Sequence, residues 1–273
     1  MNSLVVGIED LFYLAVSMCA SVIGSLCGLG GGIIIKPLLD LIGAMSVDTV
    51  SFLSSCTVLT MSVVSVGIAF SRSGSTAAPR IDLAQSTPLA IGAVIGGALG
   101  QAAFQALKTS AAEIAHVGAA QNFALLLTTL AALLYTLFSH RLERRRLRSV
   151  APIVAAGLLL GVVSSFIGIG GGPINIMVLS YLFSMETKEA AANSLYVVMF
   201  SQGASLAHLL LNGAVPGFAP ATLLLMMAGG VAGALIGGRI NKTVSPAAVR
   251  TLYIALMTVI LAMSCWNLHA FVS

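Results

Sequence analysis

Ten apolar stretches follow one another along the chain, separated by short polar turns: 11–27, 33–43, 46–71, 83–107, 114–138, 150–167, 173–184, 189–211, 219–238 and 247–271. Most run to about 20 residues or a little more, the length a helix needs to cross a hydrocarbon core of about 30 Å. They predict transmembrane helices. Two of them, 33–43 and 173–184, are too short to cross alone, and each follows directly on a run of glycines. The first run is Gly28-Leu29-Gly30-Gly31-Gly32, with Lys36 and Pro37 close behind it. The second is Gly168-Ile169-Gly170-Gly171-Gly172, followed by Pro173 and Asn175. Glycine in a helix costs roughly 1 kcal/mol relative to alanine, so three in a row inside an apolar span interrupt the helix at membrane depth. Interruptions at matching places in two halves of a chain point to the binding site of a carrier.

The two glycine runs lie 140 residues apart, and a second landmark repeats at almost the same offset. Gly92, Gly96 and Gly100 form a small-residue stripe, and Gly229, Gly233 and Gly237 form its counterpart 137 residues on. Landmarks recurring in the same order support an internal duplication. The expected organisation is a first repeat over 1–139, a basic linker over 140–149 and a second repeat over 150–273. Glycine at every fourth position lets a neighbouring backbone approach closely, so the stripes read as helix-packing faces, used within the chain or across a homodimer.

Composition narrows the class to an all-α polytopic membrane protein. Only 8% of the 273 residues are charged and 58% are hydrophobic, whereas soluble domains carry about 25% charged residues. Met1 to Asp10 lacks a basic leading region and carries Glu9 and Asp10, so it does not read as a cleavable signal peptide. The net charge of +4 comes mostly from one run, His140 to Arg148. This reads as a solvated cytoplasmic loop and not as a nucleic-acid footprint. The same run discriminates between two topologies. If the pieces flanking each glycine run make one crossing, each half crosses four times, and Lys108, Lys188, Arg239, Lys242 and Arg250 fall outside. If each glycine run turns the chain back, each half makes three net crossings beside a hairpin. Arg72, Arg80, the basic run, Lys188, Arg239, Lys242 and Arg250 then share the cytoplasmic side, and Lys108 alone is outside. The second arrangement obeys the positive-inside rule better. It also inverts the halves and places both termini outside.

The helix after each glycine run starts with unsatisfied N–H groups at the positive end of a helix dipole. Glycine adds close backbone approach and access to positive φ. Two such termini facing each other make an anion cradle; tight packing of a hairpin is the plainer use of the same glycines. Nucleotide motifs do not fit, because Gly28-x-Gly30-x-x-Ile33 lacks its last glycine and Gly32-Ile-Ile-Ile-Lys36-Pro37 lacks the Gly-Lys-Ser/Thr of a phosphate loop. Lys36, spaced i, i+4 from Asp40, is an ionisable candidate at membrane depth. Asn175 lies one turn into the second short helix, and Ser54, Ser55, Asn193 and Ser194 offer neutral donors, although serines in membrane helices often bond their own backbone. Gln202 and His208 are six residues apart and share no helix face. The cysteines (Cys19, Cys27, Cys56, Cys265) lack metal or redox spacing and read as packed thiols. An enzyme would need a catalytic couple at midplane, and Lys36 with a nearby serine is the nearest approach to one.

Two GxGGG copies near the start of each half, Pro37 five residues after the first, and a basic run between the halves resemble the sulfite exporter TauE/SafE family over essentially the whole chain. The resemblance implies a permease for sulfite, organosulfonates or related small carboxylates, in the inner membrane of a bacterium, with no cofactor. Carried over residue by residue, it marks Gly28, Gly30, Gly31, Gly32 and Pro37, then Gly168, Gly170, Gly171 and Gly172. The chain departs from the family's Gly-Thr-Ser-Leu-like stretch: Asn193-Ser194-Leu195 keeps part of it, Ser54-Ser55 only loosely. The second copy has Met177 where the first has Pro37. The expected substrate site is Gly30, Gly31, Gly32, Lys36, Ser54, Ser55, Gly170, Gly171, Gly172, Asn175, Asn193 and Ser194. The expected function is secondary transport of a small anion by alternating access, with an anion channel or a carboxylate carrier as alternatives.

Overall fold

The computed structural model describes residues 8–43, 45–71, 80–110, 114–139, 147, 149–167 and 171–272, with Ile8, 104–110, 114–119 and 267–272 as backbone alone. Among them are ten α-helices and no strand: α1 (Ile8–Cys27), α2 (Gly32–Ile42), α3 (Val47–Ser71), α4 (Leu83–Ser110), α5 (Ile114–Phe138), α6 (Val150–Ile167), α7 (Gly172–Leu182), α8 (Thr187–Leu211), α9 (Pro220–Ile240) and α10 (Pro246–Val272). Eight are long and apolar enough to cross a membrane; α2 and α7 have 11 residues each. The loop 72–79, most of the basic run, and Gly168-Ile169-Gly170 lie outside the described residues.

The helices stop where the sequence supplies the means. α1 ends because Gly28 takes φ +71° and the N–H of Leu29 reaches back to the Gly24 carbonyl at 3.0 Å. That is the left-handed glycine ending that satisfies otherwise orphaned carbonyls. α9 and α10 open on Pro220 and Pro246, where the missing N–H costs nothing and the fixed φ already suits a helix.

Both glycine stripes are used inside the chain. A Cβ on Gly92, Gly96 or Gly100 of α4 would fall within 2.4 Å of the carbonyl oxygens of Val154, Leu158 or Val162 in α6. Gly157 and Gly161 of α6 return the contact, against Leu89 and Ala93. Gly229, Gly233 and Gly237 of α9 meet α1 in the same way, at Ser17, Met18 and Ser25. Each stripe therefore packs on the first helix of the other half.

The register of these contacts gives the direction of every helix around the centre. Rising numbers in α4 meet rising numbers in α6, so the two are parallel, and so are α9 and α1. α9 is also parallel to α3, with Gly230 on Thr57 and Gly238 on Ile68. α3 and α8 are antiparallel, because Leu59 meets Gly203 while Phe70 meets Tyr196. Thus α1, α3 and α9 point one way. α6 and α4 point the other, as does α8, which runs alongside α4 from the Ser86–Asn193 bond to the contact of Gly97 with Ser205. Since α1 and α3 are parallel, the chain must return between them through α2, and α7 does the same between α6 and α8.

One end of the bundle gathers the stops of α3, α5, α7 and α9 and the starts of α4, α6, α8 and α10. It is held by Arg250 on the Thr136 carbonyl, Lys188 on the Asn241 carbonyl, and the Leu147 N–H on the Leu182 carbonyl. We call it the linker end. Large apolar side chains such as Leu159, Leu224 and Val259 stay exposed on the outer face, as helices facing lipid require.

The seams give a direct test. Gly161→Ala places a methyl 2.2 Å from the Ala93 carbonyl oxygen and is expected to lower stability by about 1–3 kcal/mol, read as a lower unfolding midpoint in detergent. Gly67→Ala, where no atom lies within 4 Å of the new methyl, is expected to leave the midpoint unchanged or raise it.

Candidate functional site

The two glycine breaks meet at the centre, backbone against backbone. A Cβ on Gly172 would sit 2.0 Å from the Leu29 carbonyl oxygen, and one on Gly28 would sit 2.3 Å from Ala191 Cα. Only glycine fits at either position. Gly30 lies between Val58 of α3 and Val198 of α8, residues at matching places in the two halves. Gly31 forms the N-cap of α2 beside Ser21, and Gly171 caps α7 with φ +73° against Ser164. Gly170 lies outside the described residues.

The polar groups around the breaks divide into two sets. One set ties down backbone carbonyls. Buried Lys36 donates to Gln121 Oε1 at 3.1 Å and to the Ile167 carbonyl at 3.0 Å, and Gln121 Nε2 donates to the Phe166 carbonyl at 2.9 Å. Both carbonyls belong to the last turn of α6, so Lys36 places its charge at the negative end of that helix. Ser194 Oγ donates to the Gly28 carbonyl at 2.6 Å. Tyr253 OH donates to the Pro173 carbonyl at 3.3 Å. Asn193, fully buried, uses both ends of its amide. It donates to the carbonyls of Arg80 and Glu189 and accepts from the Asp82 N–H and from Ser86 Oγ.

The other set is unspent. Ser54 Oγ, Ser21 Oγ, Asn175 Oδ1 and one oxygen of Asp40 are buried and find no hydrogen-bond partner among the described residues. Ser21 lies 3.2 Å and Asn175 3.4 Å from where side chains would project at Gly31 and Gly171. Buried polar atoms are nearly always paired, so orphans on both breaks single this place out.

A cavity of about 170 Å³ leads toward it between α3, α4, α6 and α8. Ser51, Ser55, Gln101, Gln202 and Ser205 line its walls. Ser164, Ser165 and Gln121 reach the second break, where Ser164 packs on Gly171. Its mouth, at exposed Asp48 and Ala214, is at the end opposite the linker. Of the residues expected from sequence, Ser55 lines this cavity. Gly30, Gly31, Gly32, Gly172, Lys36, Ser54, Asn175, Asn193 and Ser194 are not among its lining residues, and Gly171 borders an apolar niche of about 10 Å³. Sequence reasoning set Gln202 aside for want of a partner on its own helix and passed over Ser51, Gln101, Gln121, Ser164, Ser165 and Ser205. The available signal was the serine pair just before the second glycine run.

Nearly the whole chain, residues 13–264, matches the family model for the sulfite exporter TauE/SafE. The chain belongs to that family. Two curated relatives are each described as a probable membrane transporter protein MamO. The one from Paramagnetospirillum magneticum is 31% identical over 109 residues, and the one from Magnetospirillum gryphiswaldense is 29% identical over the same length. Each match covers 38% of this chain and 17% of the relative, so the chain matches under a fifth of their length. No solved structure matches the chain significantly. With its apolar helices and its family, this chain is an integral membrane protein of the TauE/SafE family.

The tie from Lys36 and Gln121 to α6 predicts coupled losses. Lys36→Met and Gln121→Leu are each expected to cost about 1.5–3 kcal/mol, and the double variant less than their sum. Strict additivity in unfolding measurements would show that the two side chains act separately.

Proposed function

We propose that this TauE/SafE protein is a secondary transporter of a small anion, sulfite or an organosulfonate, bound where the cavity meets the glycine breaks. The observation that carries this reading is a polar cavity entering from one end and stopping at the second break. Its hydroxyl and amide groups hold an oxyanion without the fixed charge that would impede release. Lys36, directly behind Gln121, supplies positive potential without direct contact. The anion sits between the N-termini of α2 and α7, on Gly30, Gly31, Gly32, Gly170, Gly171 and Gly172, where the unspent hydroxyls of Ser54 and Ser21 and the amide N–H2 of Asn175 are its side-chain donors.

Movement follows from the duplication. In this proposal the halves are inverted repeats joined by the basic linker, with the linker inside and both termini outside a bacterial inner membrane. The antiparallel run of α3 and α8 supports it. Gln202, Ser205 and Ser165 of the open cavity correspond, 140 residues earlier, to Ser62, Ser65 and Ser25. Ser62 Oγ and Ser65 Oγ are buried and find no hydrogen-bond partner among the described residues. They become the walls of the opposite cavity when the linker end opens, and Asn193 is the latch that keeps it shut.

Asp48 at the mouth favours a second reading within the same class: a zwitterionic aminosulfonate, its ammonium passing the carboxylate and its sulfonate going ahead to the hydroxyls.

Flux of labelled sulfite into proteoliposomes tests the first reading. The expected result is saturable flux, competed by organosulfonates and reduced at least tenfold by Ser205→Leu, which fills the cavity. Flux equal to empty liposomes for every anion would refute the sulfur-anion assignment, and linear flux untouched by Ser205→Leu would indicate a channel elsewhere. Under the second reading, Asp48→Asn weakens competition by taurine and leaves sulfite flux unchanged.

Thiol labelling tests the access cycle, in a background with the four native cysteines replaced. Ser205→Cys is expected to react from the face away from the linker. Ser62→Cys is expected to stay protected until Asn193→Ala is added, and then to react from the linker face. Protection that persists with Asn193→Ala would remove the latch role.

A further inference from the structure

A second cavity, also about 170 Å³, lies at the linker end between α5, α7 and α10. Arg250 is its charged lining residue. Its Nη2 donates to the Thr136 carbonyl at 2.7 Å, the only bond the guanidinium donates among the described residues. A guanidinium carries five N–H groups in a planar fork suited to two oxygens of an oxyanion, so most of that capacity is left over. Ser180 and Thr187 add hydroxyls to the walls, and among the described residues no carboxylate lines them. Glu186, next to Thr187 in the chain, is outside the lining. Ser139 is also present, but its hydroxyl is already donated to the Thr136 carbonyl at 3.0 Å. The space exceeds by an order of magnitude the roughly 10–15 Å³ that one water needs.

The position adds a second argument. Tyr253 lines this cavity, and its hydroxyl donates to the Pro173 carbonyl, one residue beyond Gly172. The substrate cavity reaches the same break from the opposite end, through Ser164 on Gly171. Two polar cavities thus approach one glycine break from opposite ends of the molecule.

We propose that the Arg250 cavity is a second oxyanion site, in which the guanidinium fork and the hydroxyls of Ser180 and Thr187 hold a small tetrahedral or pyramidal oxyanion. Occupancy of this site does not depend on the transport reading. If that reading holds, the same class of anion has a docking place at the linker end, beside the second glycine break.

Ser139→Cys, in the background without native cysteines and reconstituted in phosphatidylcholine nanodiscs, reports on the site. Its reaction with a maleimide is expected to slow at least fivefold with saturating sulfate or sulfite. Arg250→Gln should abolish the protection, Arg250→Lys should weaken it, and Ser205→Leu in the other cavity should leave it intact. If Arg250→Gln does not fold, Ser180→Leu fills the cavity without touching the guanidinium and should also abolish protection. Protection by phosphatidylglycerol discs without added anion would assign the site to a lipid phosphate, with the same chemistry. Equal labelling rates with and without every anion and lipid, in protein whose unfolding midpoint is unchanged, would overturn the proposal. So would protection that survives Arg250→Gln. Because this readout is labelling and not flux, a failed flux assay leaves it standing, and its own failure leaves the central cavity untouched.

Discussion

Two stretches of backbone cross at the centre of this protein with only glycine hydrogens between them, Gly172 lying against the Leu29 carbonyl. A peptide group left unpaired in hydrocarbon costs several kcal/mol, so a broken helix survives there only if protein satisfies it. The surrounding helices do so one carbonyl at a time. The Leu29 N–H closes onto Gly24, Ser194 reaches Gly28, Tyr253 reaches Pro173, and Lys36 with Gln121 takes the last turn of α6. The donors come from α2, α5, α8 and α10 as well as from the break itself. Much of the polar content of an otherwise apolar chain is explained by this one requirement. What remains after it is met is informative: Ser21, Ser54 and Asn175 are left over at the crossing.

The glycine stripes serve the same centre from outside. Hydrophobic driving force between helices is weak in lipid, and close packing replaces it. Along α4 and α6, and along α1 and α9, the approach is so close that a single methyl would overlap a carbonyl oxygen. Each seam joins the first helix of one half to the fourth helix of the other. The halves are therefore interleaved, and neither buries its own broken helix alone. Both stripes are consumed within the chain, so they leave no small-residue face for a partner copy.

Most of the architecture could be read before any coordinates. Helix boundaries fall within a few residues of the apolar stretches, because apolar length and punctuating glycine or proline are local signals. The all-helical class and the two broken spans follow from the same signals. The candidate site was only half legible. The glycine runs announced the breaks, but which side chains face the cavity depends on rotation of each helix, and a helix apolar on all sides carries no periodic mark of its inner face. Asn193 shows the difficulty. Its type and depth suggest a ligand contact, yet its amide is spent on Arg80, Asp82, Ser86 and Glu189, groups up to 113 residues away in the chain. Ser205 looked ordinary, and it lines the cavity.

Under the proposed duplication, the two ends would be equivalent if the halves were identical, and here they are not. Where α8 has Asn193, the matching place in α3 is Leu53, and where α2 has Lys36, α7 has Ile176. Asn193 joins four polar groups at the linker end, and its counterpart can join none. The Glu189 bond stays within α8, and the three to Arg80, Asp82 and Ser86 cross to the start of α4. At about 0.5–1.5 kcal/mol net for each, these three favour a closed linker end by roughly 1.5–4.5 kcal/mol before rehydration of the opened groups is counted. That matches the gap of a few kcal/mol expected between the states of a two-state protein. Under the proposed cycle, a ligand drives the exchange by binding the crossing more tightly in one state than in the other, against the Asn193 bonds together with the Arg250 and Lys188 ties at the linker end. In that proposed cycle, position 193 is a departure from internal symmetry that favours one open end.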